Sequence, residues 1–259
     1  MVAIPCHFWW LLVSLLLGCF GEAASLRTLE RREDLKDVPP ASASGWTVPL
    51  RGSSTCGPTG FCSDSLTPPP SNKPLSYLAL AVGIYAFTCD GQGPSEDPMY
   101  QSQSTQLYNA APLVPKIPDE ETFHSLVPQL HQFDYMELKN STLECMGTIG
   151  TINDTAIITL FEIATFEAHA YETVLPPEDE ISNGRWAHSR SPGKSWDIYR
   201  VEMAGGTPPT CGDAAEMVEV RYAAEYWFYH SEGEDLWTDI DDQNSEDAQG
   251  ASRNTKLMI

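Results

Sequence analysis

Two runs of alternating apolar and polar residues near the C-terminus place the strongest limit on the fold of this chain. The first run has an apolar side chain at every second position, namely at Tyr199, Val201 and Met203. In the second run, alternate residues from Val218 to Phe228 form another apolar face. Glycines and prolines at 205–209 separate the runs, and neither residue type continues a strand well. The period of two therefore predicts an antiparallel strand pair, joined by a long connection that contains Cys211.

Short apolar runs separated by turn residues continue upstream and predict a single, mainly β domain over residues 75–230. We expect an antiparallel β-sandwich in preference to a distorted barrel. The domain opens at Leu75 with a long apolar run, in which Gly83 indicates a bulge or bend. One short helix is predicted after Pro118, because a proline followed by acidic residues is typical of a helix N-terminus. Pro128 should end or kink this helix.

The segments on either side of this domain have a different composition. Residues 24–74 are rich in Pro, Ser and Gly, which predicts a flexible linker with one small cysteine loop. Residues 231–259 carry a dense run of acids without a core pattern, which predicts a disordered tail. A calcium site in this tail is the sharper alternative, but the run lacks the central Gly and closing Glu of an EF-hand loop.

The N-terminus predicts secretion. Residues 8–20 form an apolar run of signal-peptide length, followed by small residues that fit cleavage after Ala23. The run is too short to span a bilayer, so residues 1–23 are interpreted as a signal peptide and no membrane contact is expected after its removal. Without Glu22 and the rest of this segment, 15 basic and 35 acidic residues give a net charge of −20. Such a charge repels polyanions and disfavours nucleic acid as a partner.

Five cysteines remain in the secreted chain, and most should pair in an oxidising compartment. Cys56 and Cys62 enclose a short Gly-Pro loop and are candidates for a local bridge. Cys89 and Cys211 each follow or precede a predicted strand, so we pair them and leave Cys145 over. Cys145 stays open as a rival partner for either, because connectivity cannot be deduced from spacing.

Two glycosylation sequons agree with secretion. They begin at Asn140 and Asn153, and both flank predicted turns, where an acceptor asparagine is exposed. The chain is therefore expected to be an extracellular glycoprotein.

Three segments together resemble a known family. IYRVEMAGGTPPTC with the following VRYAAEYWFY, PPPSNKPLSYLALAVGIYAFTCD, and TQLYNAAPL are similar to a family of secreted, mostly fungal proteins of uncharacterised function. Some members of that family carry the label malate dehydrogenase-like. The resemblance spans Pro68 to His230 and implies secretion and one compact domain. Ala111 stands where the family commonly has a cysteine. No catalytic residues are transferred by this resemblance.

The sequence disfavours cofactor chemistry. A nicotinamide-binding fold needs G-x-G-x-x-G between a strand and a helix, and the nearest stretch, Gly147–Gly150, lacks both the pattern and the context. We therefore expect no cofactor and no nicotinamide-dependent dehydrogenase activity. His124 and His131 lie seven residues apart near Asp134, but no third ligand has suitable spacing, so no metal site is predicted.

Three residues of the second run are the candidate ligand-binding residues. Glu225, Trp227 and Tyr229 are expected on the outer face of the strand, where flat rings suit stacking on a sugar. The alternative interpretation of Glu225 is an outward-facing residue that pairs with Arg221. The leading hypothesis is a non-catalytic extracellular or cell-wall binding or structural glycoprotein of unknown ligand, for which a cell-wall polysaccharide or another extracellular surface is the candidate partner. The alternative is an extracellular hydrolase that uses paired carboxylates on a β scaffold.

Overall fold

The computed structural model describes residues 45–56, 62–133, 143–153, 155–213 and 216–231. The predicted signal peptide, the sequon at Asn140 and the acidic tail beyond Ser231 lie outside these residues. Within them, no helix is both long and apolar enough to cross a membrane.

The described residues contain ten strands and two short α-helices. The strands are β1 Arg51–Cys56, β2 Cys62–Ser65, β3 Leu75–Thr88, β4 Met99–Asn109, β5 Cys145–Ile152, β6 Thr155–Leu160, β7 Ala164–Val174, β8 Trp186–Arg190, β9 Trp196–Gly205 and β10 Met217–His230. The helices are α1 Glu120–His124 and α2 Leu126–Leu130, with 3-10 helices at Ala111–Lys116 and Cys211–Asp213.

Strands β3 to β10 close into one antiparallel barrel in which each strand pairs with its neighbours along the chain. The predicted mainly β, antiparallel class is confirmed. The strands form a closed barrel, which was the alternative prediction, and do not form the two facing sheets of a sandwich. Closure comes from β10, which pairs with β9 on one side and with β3 along nearly its whole length on the other. The first and last strands therefore satisfy each other's edge hydrogen bonds.

The predicted strand pair β9–β10 is present, but the faces of β9 differ from the prediction. A register shift between Ala223 and Glu225 places Tyr199 opposite Trp227 on the outer side and Arg200 opposite Tyr226 on the inner side, whereas the alternation predicted Tyr199 on the inner face. Gly205 and Gly206 have φ angles of 73° and 96°, which glycine adopts without strain, and they end β9. Gly83 does not bend β3, because it lies in an unbroken ladder with Tyr222 and Thr105 on either side. A Cβ atom there would lie 2.8 Å from the ring of Tyr222. The glycine makes room for that ring inside the barrel.

The predicted helix is present and is divided in two. Asp119 caps α1 by accepting a hydrogen bond from the backbone N–H of Thr122, and this bond lowers the pKa of its carboxyl group. The helix ends at His124, four residues before Pro128, whose ring clashes with the carbonyl at that position. Helix α2 then begins at Leu126 and packs on β9 and β10.

Part of the segment that the sequence assigns to a linker packs on the barrel. Val48 and Leu66 are buried in the core, and Ser53 in β1 bonds to the backbone of Leu175 just after β7. The packed region therefore starts before Leu75. Cys56 and Cys62 are directly paired positions of the β1–β2 ladder.

Both faces of the barrel wall are covered near β9 and β10. Inside, side chains on strands that are not neighbours meet, as Phe166 of β7 stacks on Trp196 of β9 at 5.0 Å. Outside, α1, α2 and the segment around Val48 cover the opposite face. The second half of β10 is therefore buried on both sides.

The predicted disulfide between Cys89 and Cys211 is confirmed. It joins the end of β3 to the connection before β10. Cys145 is a free thiol that donates a hydrogen bond to Gln106, and burial raises its pKa.

Candidate functional site

A cluster of tyrosines lines the inside of the barrel near one end. We call this the upper end, where β3 and β9 finish and β4, β8 and β10 begin. The rings of Tyr85 and Tyr222 stack at 4.2 Å with an interplanar angle of 6°. The Tyr222 hydroxyl lies 2.5 Å from Thr105 Oγ1 across β3, and 3.5 Å from the hydroxyl of Tyr226. These contacts join β3, β4 and β10 through the interior.

Burial raises the pKa of Tyr85 to about 12 and that of Tyr222 well above its usual value. Both phenols therefore stay protonated at physiological pH. They act as neutral hydrogen-bonding groups.

Arg200 of β9 reaches into this cluster. It pairs with Tyr226 across the ladder, its Nη1 donates to the Tyr85 hydroxyl at 2.5 Å, and its Nη2 donates to the Arg185 carbonyl at 3.0 Å. The Nε atom is buried and has no hydrogen-bond partner. Burial acts to lower the pKa of Arg200, but the surrounding phenols, Tyr85 foremost, hold it above its usual value.

No carboxylate pairs with Arg200 among the residues that the structure describes. The barrel therefore holds a fixed positive charge whose partners are neutral. A charged group without an opposite charge is unfavourable in a shielded environment.

Gln103 supplies a second buried group without a partner. It stands opposite Tyr85 in the β3–β4 ladder, so its side chain points to the same interior face. Its Oε1 atom is buried and accepts no hydrogen bond. One donor and one acceptor thus remain unused on the two sides of Tyr85.

Apolar side chains continue from this cluster to the rim of the upper end. The ring of Tyr100 lies 6.1 Å from Tyr85 and 6.0 Å from Phe87, edge to face, and is 37% exposed. Other large apolar residues exposed at strand ends here are Met99, Ile152 and Met217. The contacts among Tyr85, Phe87 and Tyr100 therefore connect the aromatic interior to an exposed ring at the rim.

A second cluster lies on the outer wall beneath the helices. Glu225 is fully buried, with Oε1 hydrogen-bonded to His124 Nδ1 at 2.8 Å and Oε2 accepting from Trp227 Nε1 at 3.0 Å. Burial raises the pKa of Glu225, and the bond to His124 opposes this. Burial lowers the pKa of His124, but its bond to Glu225 and the charges of Glu225 and Glu202 raise it overall. This contact attaches α1 to β10.

Glu202 lies beside this pair, at the point where β9 shifts register against β10. Its φ of 49° is left-handed, which is unfavourable for a residue other than glycine. Burial and then the charge of Glu225 raise its pKa to about 7, with His124 acting in the opposite direction.

A third cluster ties the segment before β3 to the barrel. The buried carboxylate of Asp197 accepts from Lys73 Nζ at 2.8 Å and from Arg190 Nε at 2.9 Å, and lies 2.7 Å from His188 Nε2. His188 Nδ1 lies 2.9 Å from Glu172, which also accepts from the backbone of Thr67. Burial would raise the pKa of Asp197, but the three donors hold it far below its usual value.

The barrel and all three clusters lie within or beside residues 69–230, and these residues match a family described as protein of unknown function, DUF3455. The chain belongs to the DUF3455 family. This confirms the resemblance to an uncharacterised family over Pro68–His230. The fungal origin, the secretion and the dehydrogenase label of that resemblance stay predictions. No curated protein and no solved structure gives a significant match to the chain.

The three residues predicted as a ligand-binding face of the DUF3455 domain are not exposed. Glu225 and Trp227 have 0% exposure and Tyr229 has 7%, because α1, α2 and the segment around Val48 cover them. Nor does Glu225 pair with Arg221, which instead donates to the Phe133 carbonyl. A strand with one buried face alternates, whereas YAAEYWFY is almost continuously apolar. That continuity is the signal of a strand buried on both faces.

Sequence reasoning missed the interior cluster of the DUF3455 domain. Arg200 and Gln103 occupy ordinary polar positions of alternating strands, and only barrel closure turns both inward. His131 packs against Gly205, and Asn153 lies exposed in the β5–β6 turn. In the described part of the chain no three His, Cys, Asp or Glu side chains converge on a metal position.

Proposed function

We propose that this DUF3455 protein is an extracellular, non-catalytic binding protein whose ligand enters the upper end of the barrel. The observation that supports it most is the pair of unused polar atoms, Arg200 Nε and Gln103 Oε1, on an interior face lined by tyrosines. Buried polar groups in proteins nearly always have partners, so two exceptions on the same interior face favour a partner from outside the chain.

The size of the barrel agrees with this proposal. An eight-stranded barrel has an interior that side chains fill or that holds one small ligand. Here the aromatic wall reaches the exposed ring of Tyr100, which offers an entry surface. Ligand sites of this kind combine aromatic walls with a few fixed polar groups.

The extracellular setting is supported by the signal-peptide pattern, the sequons and the acidic charge, together with the Cys89–Cys211 disulfide. In that setting a sugar, such as a fragment of a cell-wall polysaccharide, is a fitting ligand. Tyrosine rings stack on the flat faces of sugars, and hydroxyls pair with amide and guanidinium groups. The exposed ring of Tyr100, and not that of Trp227, would then be the surface on which a sugar stacks.

Binding of the secreted full-length protein to a panel of glycan fragments and small hydroxylated molecules, measured by isothermal titration calorimetry, tests the proposal. Tyr100→Ala should weaken binding about 3- to 10-fold, since one aromatic contact contributes roughly 1 kcal/mol. Phe161→Ala is the matched control, because Phe161 is exposed by 46% in the β6–β7 turn at the opposite end of the barrel. Absence of binding across the panel, or equal loss in both variants, would overturn the proposal.

The paired-carboxylate hydrolase has less support. A catalytic carboxylate must reach its substrate, and Glu225 is fully buried with both oxygens already bonded inside the protein. Its geometry fits a residue that positions His124 and α1.

A further inference from the structure

Among the residues that the structure describes, Arg200 differs from Lys73, Arg190 and His124 because it has no acidic partner. Lys73 and Arg190 share Asp197, and His124 pairs with Glu225. The chain contains 36 acidic and only 15 basic residues, so acidic partners are plentiful. Even so, the neighbours of Arg200 are the phenols of Tyr85, Tyr226 and Tyr222 and a backbone carbonyl.

The two atoms without partners need opposite kinds of hydrogen-bonding group. Arg200 Nε needs an acceptor and Gln103 Oε1 needs a donor, and Tyr85 lies between them. A guanidinium is best satisfied by a carboxylate, through short charge-assisted bonds. An amide oxygen is satisfied by a hydroxyl. A molecule that carries both groups would complete the cluster.

We infer that the ligand of the upper end is a small hydroxylated monocarboxylate, whose carboxylate accepts from Arg200 and whose hydroxyl donates to Gln103. This inference rests on the proposed function and specifies its ligand. A single carboxylate matches the single charge of Arg200, and the acidic net charge of the chain repels a polymer of acids. A sugar acid and a hydroxylated aromatic acid share this chemistry, and the exposed ring of Tyr100 suits the flat face of either.

Two matched ligand pairs separate charge from shape. One is galacturonic acid and its methyl ester, and the other is 4-hydroxybenzoate and its methyl ester. Within each pair the body and the hydroxyls are the same and only the ester lacks the negative charge. Calorimetric titration of the secreted full-length protein should give at least about tenfold tighter binding of the acid than of the ester in one pair, as expected of a charge-assisted contact. The pair that shows this identifies the body of the ligand.

Arg200→Gln should remove the preference, so that acid and ester bind equally weakly. Arg185→Gln is the control, because it removes the same charge from an exposed side chain at the same end and leaves the backbone contact to Arg200 in place. It should keep the preference. The Gln103→Leu variant should reduce the advantage of 4-hydroxybenzoate over benzoate and leave the advantage of acid over ester.

These titrations can overturn the inferred carboxylate ligand without overturning the proposed binding function. If the esters bind as tightly as the acids to the wild type, the inference is overturned and the binding proposal stands. If no member of either pair binds, the inference is overturned, and absence of binding across the wider panel would overturn the proposal as well. Equal loss in Arg200→Gln and Arg185→Gln would point to a surface effect and overturn the role of Arg200. The wild-type comparison of acid with ester holds even where a variant fails to fold.

Discussion

At the scale of single residues, the buried carboxylate of Asp197 and the half-buried guanidinium of Arg200 have different kinds of partner. Asp197 has three basic donors within hydrogen-bond distance, whereas Arg200 has neutral partners only. Removing one member of a satisfied network leaves the others buried and unpaired, which is costly. Removing Arg200 leaves no unpaired charge, only the Tyr85 hydroxyl and the Arg185 carbonyl without this donor. Substitution of Arg200 should therefore destabilise the fold much less than substitution of Asp197.

Asp197→Asn should reduce the free energy of unfolding by about 3–5 kcal/mol, because Lys73, His188 and Arg190 lose their common acceptor. Urea denaturation at pH 7 measures this. The control is Asp64→Asn, which breaks the exposed pair between Arg51 and Asp64 and should change stability by less than about 1 kcal/mol. Similar losses in the two variants would contradict a special role for the Asp197 network.

The same residue predicts an acid dependence. The folded-state pKa of Asp197 lies below its unfolded value of about 3.9, so its contribution to stability is full above that pH and is lost as the pH falls towards the folded pKa. The stability difference between wild type and Asp197→Asn should therefore shrink when denaturation is repeated from pH 6 down to pH 3. A difference that stays constant over this range would contradict the assignment.

Strand β9 carries the clearest local departure from regular structure at the scale of elements. Its register shift places Glu202 in a left-handed conformation beside Glu225 and beneath α1. Non-glycine residues in that region cost about 1–3 kcal/mol and persist where the surroundings impose them. Here the same shift brings a second carboxyl group to the junction between the helices and the barrel.

Glu202 predicts a pH dependence of the opposite sign. Its pKa is about 7 in the folded protein and 4.5 ordinarily, so the folded state holds the proton more tightly and stability falls as the pH rises from about 4.5 to 7. The raised pKa of His124 acts in the same direction. For a partly exposed group we expect a loss of about 1–2 kcal/mol over this window.

Glu202→Gln should remove most of this dependence, and urea denaturation at pH 5 and pH 8 measures it. The comparison with Glu202→Gly isolates the backbone term, because only glycine relieves the left-handed φ. Glu178→Gln is the control, since its carboxyl group is a minor contributor to the Glu202 environment. A wild type whose stability is unchanged between these pH values would refute this part of the account.

Sequence patterns predicted those elements whose signals are local. Alternation in residues 196–203 and 218–228 located the β9–β10 pair, and the acidic start at Pro118 located the helices. The burial of Trp227 was not predicted, because the helices that cover it lie about 100 residues earlier in the chain. Alternation shows that one face is buried and does not show what lies on the other.

At the scale of the whole molecule, the defining property is the closure of the sheet into a barrel. The pairing of β3 with β10 brings together segments more than 120 residues apart, and the Cys89–Cys211 bridge, with a separation of 122, lies at the upper end of that same pair. The positions of the two cysteines beside predicted strands indicated the bridge, with Cys145 as a rival partner. Spacing could not decide between sandwich and barrel, because that choice depends on which edges pair. The interior cluster exists only after closure, which is why no local pattern identified Arg200 with Gln103.

The double substitution Cys89→Ser and Cys211→Ser should lower the free energy of unfolding by about 2–5 kcal/mol, since the bridge closes a long loop of the unfolded chain. Guanidinium denaturation under non-reducing conditions measures this. Cys145→Ser is the control and should change stability by less than about 1 kcal/mol, because Cys145 forms no disulfide and retains hydrogen-bonding capacity as serine. An equal effect in the two proteins would argue against the role of the bridge in holding the barrel closed.

We propose that Arg200 serves ligand binding and contributes little to the stability of the fold. The free energy of unfolding of Arg200→Met, measured by urea denaturation without ligand, tests this most directly. Methionine keeps an unbranched stem against the tyrosines and removes the charge that lacks a counter-ion. We predict a stability within about 1 kcal/mol of the wild type. A loss on the scale expected for Asp197→Asn, about 3 kcal/mol or more, would show that Arg200 holds the barrel together and would contradict the claim.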